Sequence, residues 1–157
     1  MQFYVVRHGI AVQAADHDGP DETRPLTPEG FRRVVEVARG LAALGAKPRV
    51  LLTSPLLRAV QTAEALSSVL QTVRIEKTAI LTPDADPELA LAEVRRKPDR
   101  EIMFVGHLPH LDLLIAAALG VSDPVTRLKK CGAACLELDA AGGRLVWLVE
   151  PKLLRQR

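Results

Sequence analysis

Three short apolar runs, Phe3–Val6, Val50–Thr53 and Ile102–Val105, most constrain what this chain can fold into. Their Val, Ile, Leu and aromatic residues suit strands buried on both faces. Segments of helical periodicity separate them, and a strand–helix–strand alternation builds a parallel sheet with helices on its faces. Thr27 can cap the first helix and Pro28 suits its first position. Val34, Val35, Ala38, Leu41, Ala42 and Leu44 form its apolar stripe, and Gly45 is its stop. Ser54-Pro55 repeats the cap-plus-proline signal for a helix over about 55–70. Leu57, Val60, Ala63, Ala65, Leu66 and Val69 are its inward positions.

Val73–Lys77 reads as a short strand and 80–86 as a turn-rich loop. A helix over 87–97 carries Leu89, Leu91, Ala92 and Val94 as its apolar residues. The helix over 110–119 is nearly all apolar and is expected to be the most buried. Residues 133–138 and 144–149, either side of Ala141-Gly142-Gly143, read as a hairpin. The fold class is therefore α/β: a three-layer α/β/α sandwich, its sheet mainly parallel with an antiparallel element, in one domain over residues 1–157.

The ends of the three runs carry the chemistry. The first run stops at Arg7-His8-Gly9, and alone that triplet is an ordinary polar strand end. The second stops at Thr53-Ser54-Pro55, with Arg58 in the first turn of its helix. The third stops at Gly106-His107-Leu108-Pro109. If the strands are parallel neighbours, their carboxyl ends share one rim, where open α/β sheets bind ligands. Two arginines and two histidines then converge, a costly arrangement unless an anion joins them. Planar guanidinium forks match phosphate oxygens, so the ligand expected is a phosphoryl group. A neutral histidine can accept it on one ring nitrogen while the other N–H is held. Arginines and a protonated second histidine can supply the charge. The chain has no Walker A sequence and no aspartate cluster resembling a magnesium site, so neither metal nor cofactor is expected. The reading is a metal-independent, two-step transfer through a phosphohistidine.

Composition narrows the partners. Lys+Arg number 21 and Asp+Glu 19, a formal charge of +2. That is too little for nucleic acid or an anionic membrane as the main partner, so an anion site must come from local clustering. No apolar stretch approaches the roughly 20 residues of a membrane span, and the expectation is a soluble, cytoplasmic protein. Cys131 and Cys135, the only cysteines, are expected to be free thiols.

Arg7-His8-Gly9, the stretches Arg24–Gly30 and Thr53–Ala63, and Val105-Gly106-His107-Leu108-Pro109 together resemble the histidine phosphatase superfamily, with its phosphoglycerate mutase-like fold. The resemblance spans nearly the whole chain and is closer to the small SixA-type branch of phosphohistidine phosphatases. It implies His8 as the nucleophile, with Arg7, Arg58 and His107 binding the phosphoryl group. It also implies Asp21 and Arg24 as substrate-binding residues at the site mouth. His17 and His110 match nothing and are expected to be structural or solvent-facing.

One departure bears on substrate. Larger family members carry a glutamate that protonates the leaving oxygen, and residues 80–88 contain no clear equivalent. Asp84, Asp86 and Glu88 are candidates, but helix capping explains them as well. A weak or missing acid suits a P–N bond, whose imidazole leaves with less help than an alkoxide. The leading expectation is a phosphohistidine phosphatase acting on a signalling or phosphotransfer protein. The alternatives are a phosphatase of a small phosphorylated metabolite and a non-catalytic phosphate- or phosphoprotein-binding module.

Overall fold

The structure, a computed structural model, describes residues 1–72, 74–98 and 101–155. β1 (Gln2–Arg7) leads through a long loop to α1 (Pro28–Ala43), then β2 (Val50–Thr53) and α2 (Leu57–Leu70). β3 (Arg74–Lys77), α3 (Pro87–Arg96), β4 (Ile102–Gly106) and α4 (His110–Ala118) follow. The hairpin β5 (Ala133–Asp139) and β6 (Gly142–Val149) precedes a short α5 (Pro151–Leu154). Val73, expected to begin the third strand, lies outside the described residues.

The sheet order is β3-β2-β4-β1-β5-β6. β3, β2, β4 and β1 run parallel, whereas β5 is antiparallel to β1 and to β6. β4 therefore sits between β1 and β2, with Arg7 beside Gly106 and Thr53 beside Val105. The ladder continues one step past each strand: His8 N–H donates to Gly106 O (2.9 Å) and Ser54 N–H to Val105 O (3.0 Å). This pairing brings the three strand ends to one rim.

Two apolar layers flank the sheet. α1, α2 and α5 cover one face, with Val34, Val37, Ala38, Leu41, Ala63 and Leu66 packed on Val6, Leu51 and Met103. α3 and α4 cover the other, with Leu91, Val94, Leu111 and Leu114 packed on Phe3, Val5 and Phe104. The Phe3 and Phe104 rings meet edge to face at 5.9 Å, a favoured aromatic geometry.

Several local expectations change. Thr27 caps α1, accepting from Gly30 N–H at 2.9 Å, but its buried stripe is Val34, Val37, Ala38 and Leu41; Ala42 and Leu44 face solvent. In α3 the buried residues are Ala90, Leu91 and Val94, and Leu89 and Ala92 point outward. Ser54-Pro55 does not start a helix: α2 begins at Leu57, and Leu56 caps it without a side-chain bond. β6 begins two residues early, and its alternating burial marks a half-solvated edge strand. Cys131 and Cys135 are free and buried. No helix among the described residues is long and apolar enough to cross a membrane.

Candidate active site

His8 leaves β1 where the chain bends away from the sheet and is 7% exposed. Its Nδ1–H donates to Gly9 O at 2.7 Å, because a carbonyl can only accept. That bond fixes the tautomer and leaves the lone pair on Nε2. Gly9 N–H donates to Thr62 Oγ1 (3.0 Å), and the Thr62 hydroxyl donates to Arg58 O (2.7 Å). The β1 tip is thereby tied to the first turn of α2. Gly9 has no room for a side chain, since a Cβ there would stand 2.8 Å from Val34 Cγ2.

The four residues from three strand ends do converge. The His8 and His107 rings stand 5.0 Å apart, tilted by 53°. Arg58 is 5% exposed and His107 2%. Burial is the main cause holding the His8 pKa down at about 4, and the Arg58, Arg7 and Lys130 cations add to it. His107 is pushed down to about 3, chiefly by burial and then by His8 and Arg58. The expectation of a protonated second histidine therefore fails for the free site: both rings are neutral near pH 7. A phosphoryl dianion between them reverses that balance and favours protonation.

Buried atoms without partners among the described residues include Arg7 Nε, Arg58 Nε and His107 Nδ1. Such groups are expensive to bury unsatisfied. The two Nε–H groups are donors in want of acceptors, which an anion's oxygens could supply.

Each of these side chains has its own support. His107 Nε2 lies 2.8 Å from Ser54 Oγ, which also accepts from Leu56 N–H at 3.3 Å. Arg7 Nη1 donates to Leu128 O at 2.9 Å. Asp112, buried in α4, holds that loop by accepting from Thr126 Oγ1 (2.8 Å) and Leu128 N–H (3.2 Å). Arg58 Nη2 meets Asp21 Oδ2 at 3.1 Å, and Nη1 donates to Asp21 O at 3.0 Å. Asp21 Oδ1 also accepts from Arg24 Nε at 2.9 Å, and Arg24 Nη1 from the other side donates to Val12 O at 2.7 Å. The Arg24 bond, with Arg58 adding to it, holds the Asp21 carboxyl below its usual range. Asp21 and Arg24 thus stand at the rim against Arg58 rather than as an isolated solvated pair.

Ser54, Thr62 and Asp112 were not legible as site residues. Ser54 carried a cap signal, and Thr62 sat in the helix with nothing to mark it. Asp112 did leave a trace, the lone acid of an otherwise apolar helix. Among the candidate acids, Asp86 caps α3 by accepting from Glu88 N–H (3.0 Å), and Glu88 lies 3.7 Å from Arg95. His17 pairs with Thr23 Oγ1 at 2.9 Å in an exposed turn, whereas His110 is fully buried.

A family model, "Histidine phosphatase superfamily (branch 1)", matches residues 3–82. The chain is 37% identical to an uncharacterized protein of Picosynechococcus sp., covering 98% of this chain and 99% of that one. It is 28% identical to phosphohistidine phosphatase SixA of Escherichia coli, covering 96% of this chain and 94% of that one. The solved structure of the protein histidine phosphatase SixA complexed with tungstate superposes with a TM-score of 0.89 at 28% identity, covering 98% and 99% of the two chains.

Proposed function

The chain belongs to the histidine phosphatase superfamily and is a phosphatase, and from that premise we propose that it dephosphorylates phosphohistidine on a signalling or phosphotransfer protein, through a covalent phosphohistidine on His8. The observation that carries this reading is the state of His8. Its ring is neutral, its Nδ1–H is held by Gly9 O so that Nε2 keeps its lone pair, and the ring lies 5.0 Å from that of His107 and within the field of Arg58 and Arg7. The likeness to SixA supports phosphohistidine as the substrate.

In the first step Nε2 attacks phosphorus in line with the leaving nitrogen. The Nε2–P bond forms, the substrate's P–N bond breaks, and its electron pair stays on the leaving imidazole, which takes a proton from solvent. Arg7 and Arg58 neutralise the equatorial oxygens, where charge stabilisation is worth most. His107, oriented by Ser54, completes the ring of hydrogen-bonding groups. In the second step water attacks the phosphoryl group, the P–Nε2 bond breaks and inorganic phosphate leaves.

Two of the candidate acids are engaged away from this chemistry, Asp86 as a helix cap and Glu88 beside Arg95. A leaving imidazole needs less protonation than an alkoxide, which fits that arrangement. The proposed setting is the cytoplasm. The test is a turnover panel of a phosphohistidine protein, phosphoramidate and sugar phosphates. The reading expects the two P–N substrates to be preferred. Activity confined to sugar phosphates overturns it, and binding without turnover of any substrate makes the protein a binding module.

A further inference from the structure

A groove of about 550 Å³ opens against Arg7, the residue before His8, and Arg33, Arg127, Lys129, Lys130 and Arg155 are among its other walls. Its other lining residues are Ile10, Leu128, Cys131 and Pro151, so among the described residues no carboxylate lines it. The whole chain carries a formal charge of only +2, so this is a local concentration of cations. Arg33 is bridged to Glu29 at 2.7 Å on α1. Among the described residues no ion pair engages Arg127, Lys129, Lys130 or Arg155.

The wall is built, not a chance crowding of mobile side chains. Asp112 fixes Thr126 and Leu128 from below, and Leu128 is buried. Cys131 N–H donates to Arg7 O at 3.0 Å, and Gly132 O accepts from Arg7 N–H at 3.1 Å. The loop is therefore pinned to the last residue of the strand that carries His8. Arg127, Lys129 and Lys130 project from it as exposed side chains. Arg7 belongs to both places: it lines the groove, and its charge acts on His8. A ligand in the groove therefore meets a guanidinium that the His8 ring also feels. The opening is far larger than one phosphoryl group requires, and six cationic side chains line it. A segment carrying several carboxylates matches that number of cations.

We propose that this groove docks an acidic segment of the substrate protein, rich in Asp and Glu and adjacent to the phosphorylated histidine. The proposal rests on the phosphoprotein reading of the site above. Lys and Arg side chains attract such a segment at long range, raising its association rate and with it the affinity.

The test uses the full chain and a fluorescein-labelled peptide of alternating Asp and Glu, with an Asn/Gln peptide of equal length as control. Anisotropy is expected to report binding of the acidic peptide alone, weakening steeply as salt rises. In the variant R127E/K129E that affinity is expected to fall by about tenfold or more. Hydrolysis of phosphoramidate, which is too small to reach those side chains, stays unchanged. The milder R127Q/K129Q gives a smaller fall in the same direction and serves if the reversal unfolds the loop. Equal binding by variant and wild type, or no binding of the acidic peptide, overturns the proposal. So does binding of tripolyphosphate without the peptide, which makes the groove a small-anion site. Peptide binding is read without turnover, so its failure leaves the phosphohistidine reading standing, and inactivity on phosphohistidine leaves the peptide result intact.

Discussion

The Oγ of Ser54 and the Nε2 of His107 lie 2.8 Å apart, joining the ends of β2 and β4 through a buried hydrogen bond. Ser54→Ala removes that partner without changing the strand pairing. A buried polar atom left unsatisfied costs about 1–3 kcal/mol. The expected result is a kcat about ten- to a hundredfold lower, with thermal stability lowered in step. Steady-state kinetics beside a melting curve check it; an unchanged kcat removes Ser54 from the positioning of His107.

Arg58 is the more buried of the two arginines at the rim, and both its Nη groups are already oriented by Asp21. Arg58→Ala is expected to lose about 3–4 kcal/mol of transition-state stabilisation, comparable to deleting a preorganised charge-stabilising donor. Arg58→Lys recovers only part of it, because a point charge does not reproduce the planar fork. A loss in kcat/KM of less than about tenfold contradicts the role.

Acid is expected to act first on stability and only later on the nucleophile. His8 and His107 fold with pKa values of about 4 and about 3, below the ordinary 6.5. Between those values and 6.5 the unfolded chain binds more protons, so stability falls as pH drops below 6.5 and is independent of these groups above it. The free enzyme keeps His8 neutral down to about pH 5, so the acid limb of kcat/KM assigned to it lies below that. A stopped-flow profile with a substrate of known ionisation separates this from a limb at 6.5, which signals an unperturbed histidine.

Gly30 lets the start of α1 pack against the loop backbone at Ile10. Thr27 N–H donates to Ile10 O at 3.0 Å, and a Cβ on Gly30 would overlap that same carbonyl. Gly30→Ala is expected to destabilise the protein by about 1–3 kcal/mol, the usual cost of forced overlap. Because Asp21 and Arg24 ride on this loop, KM for a phosphorylated substrate rises as well. Urea unfolding and steady-state kinetics on one preparation check both.

What the sequence shows of this protein depends on range. β1, β2 and β4 are continuous apolar runs, so the strands themselves are legible, but the shared rim of Arg7, His8, Arg58 and His107 rests on their being parallel neighbours, which the sheet order β2-β4-β1 supplies. Thr27 is a local cap and behaves as one. Ser54 carries the same local signal but spends its oxygen on His107, fifty-three residues away, a contact that no local pattern encodes. Ala42 and Leu44 read as part of the α1 stripe and Leu89 and Ala92 as apolar residues of α3, yet all four are exposed, because the sheet faces accept only the residues in angular register with them. The basic wall of the groove is also a tertiary product: Arg33, Lys129 and Arg155 meet only because α1, α5 and the β5 approach share one edge.

The central claim is that His8 carries the phosphoryl group. Wild-type protein is reacted with radiolabelled phosphoramidate, quenched in base and digested, and the labelled peptide is sequenced by mass spectrometry. The prediction is acid-labile, base-stable phosphate on His8, and none on His8→Ala, which also loses turnover. Normal turnover by His8→Ala, or label on any other residue, contradicts it.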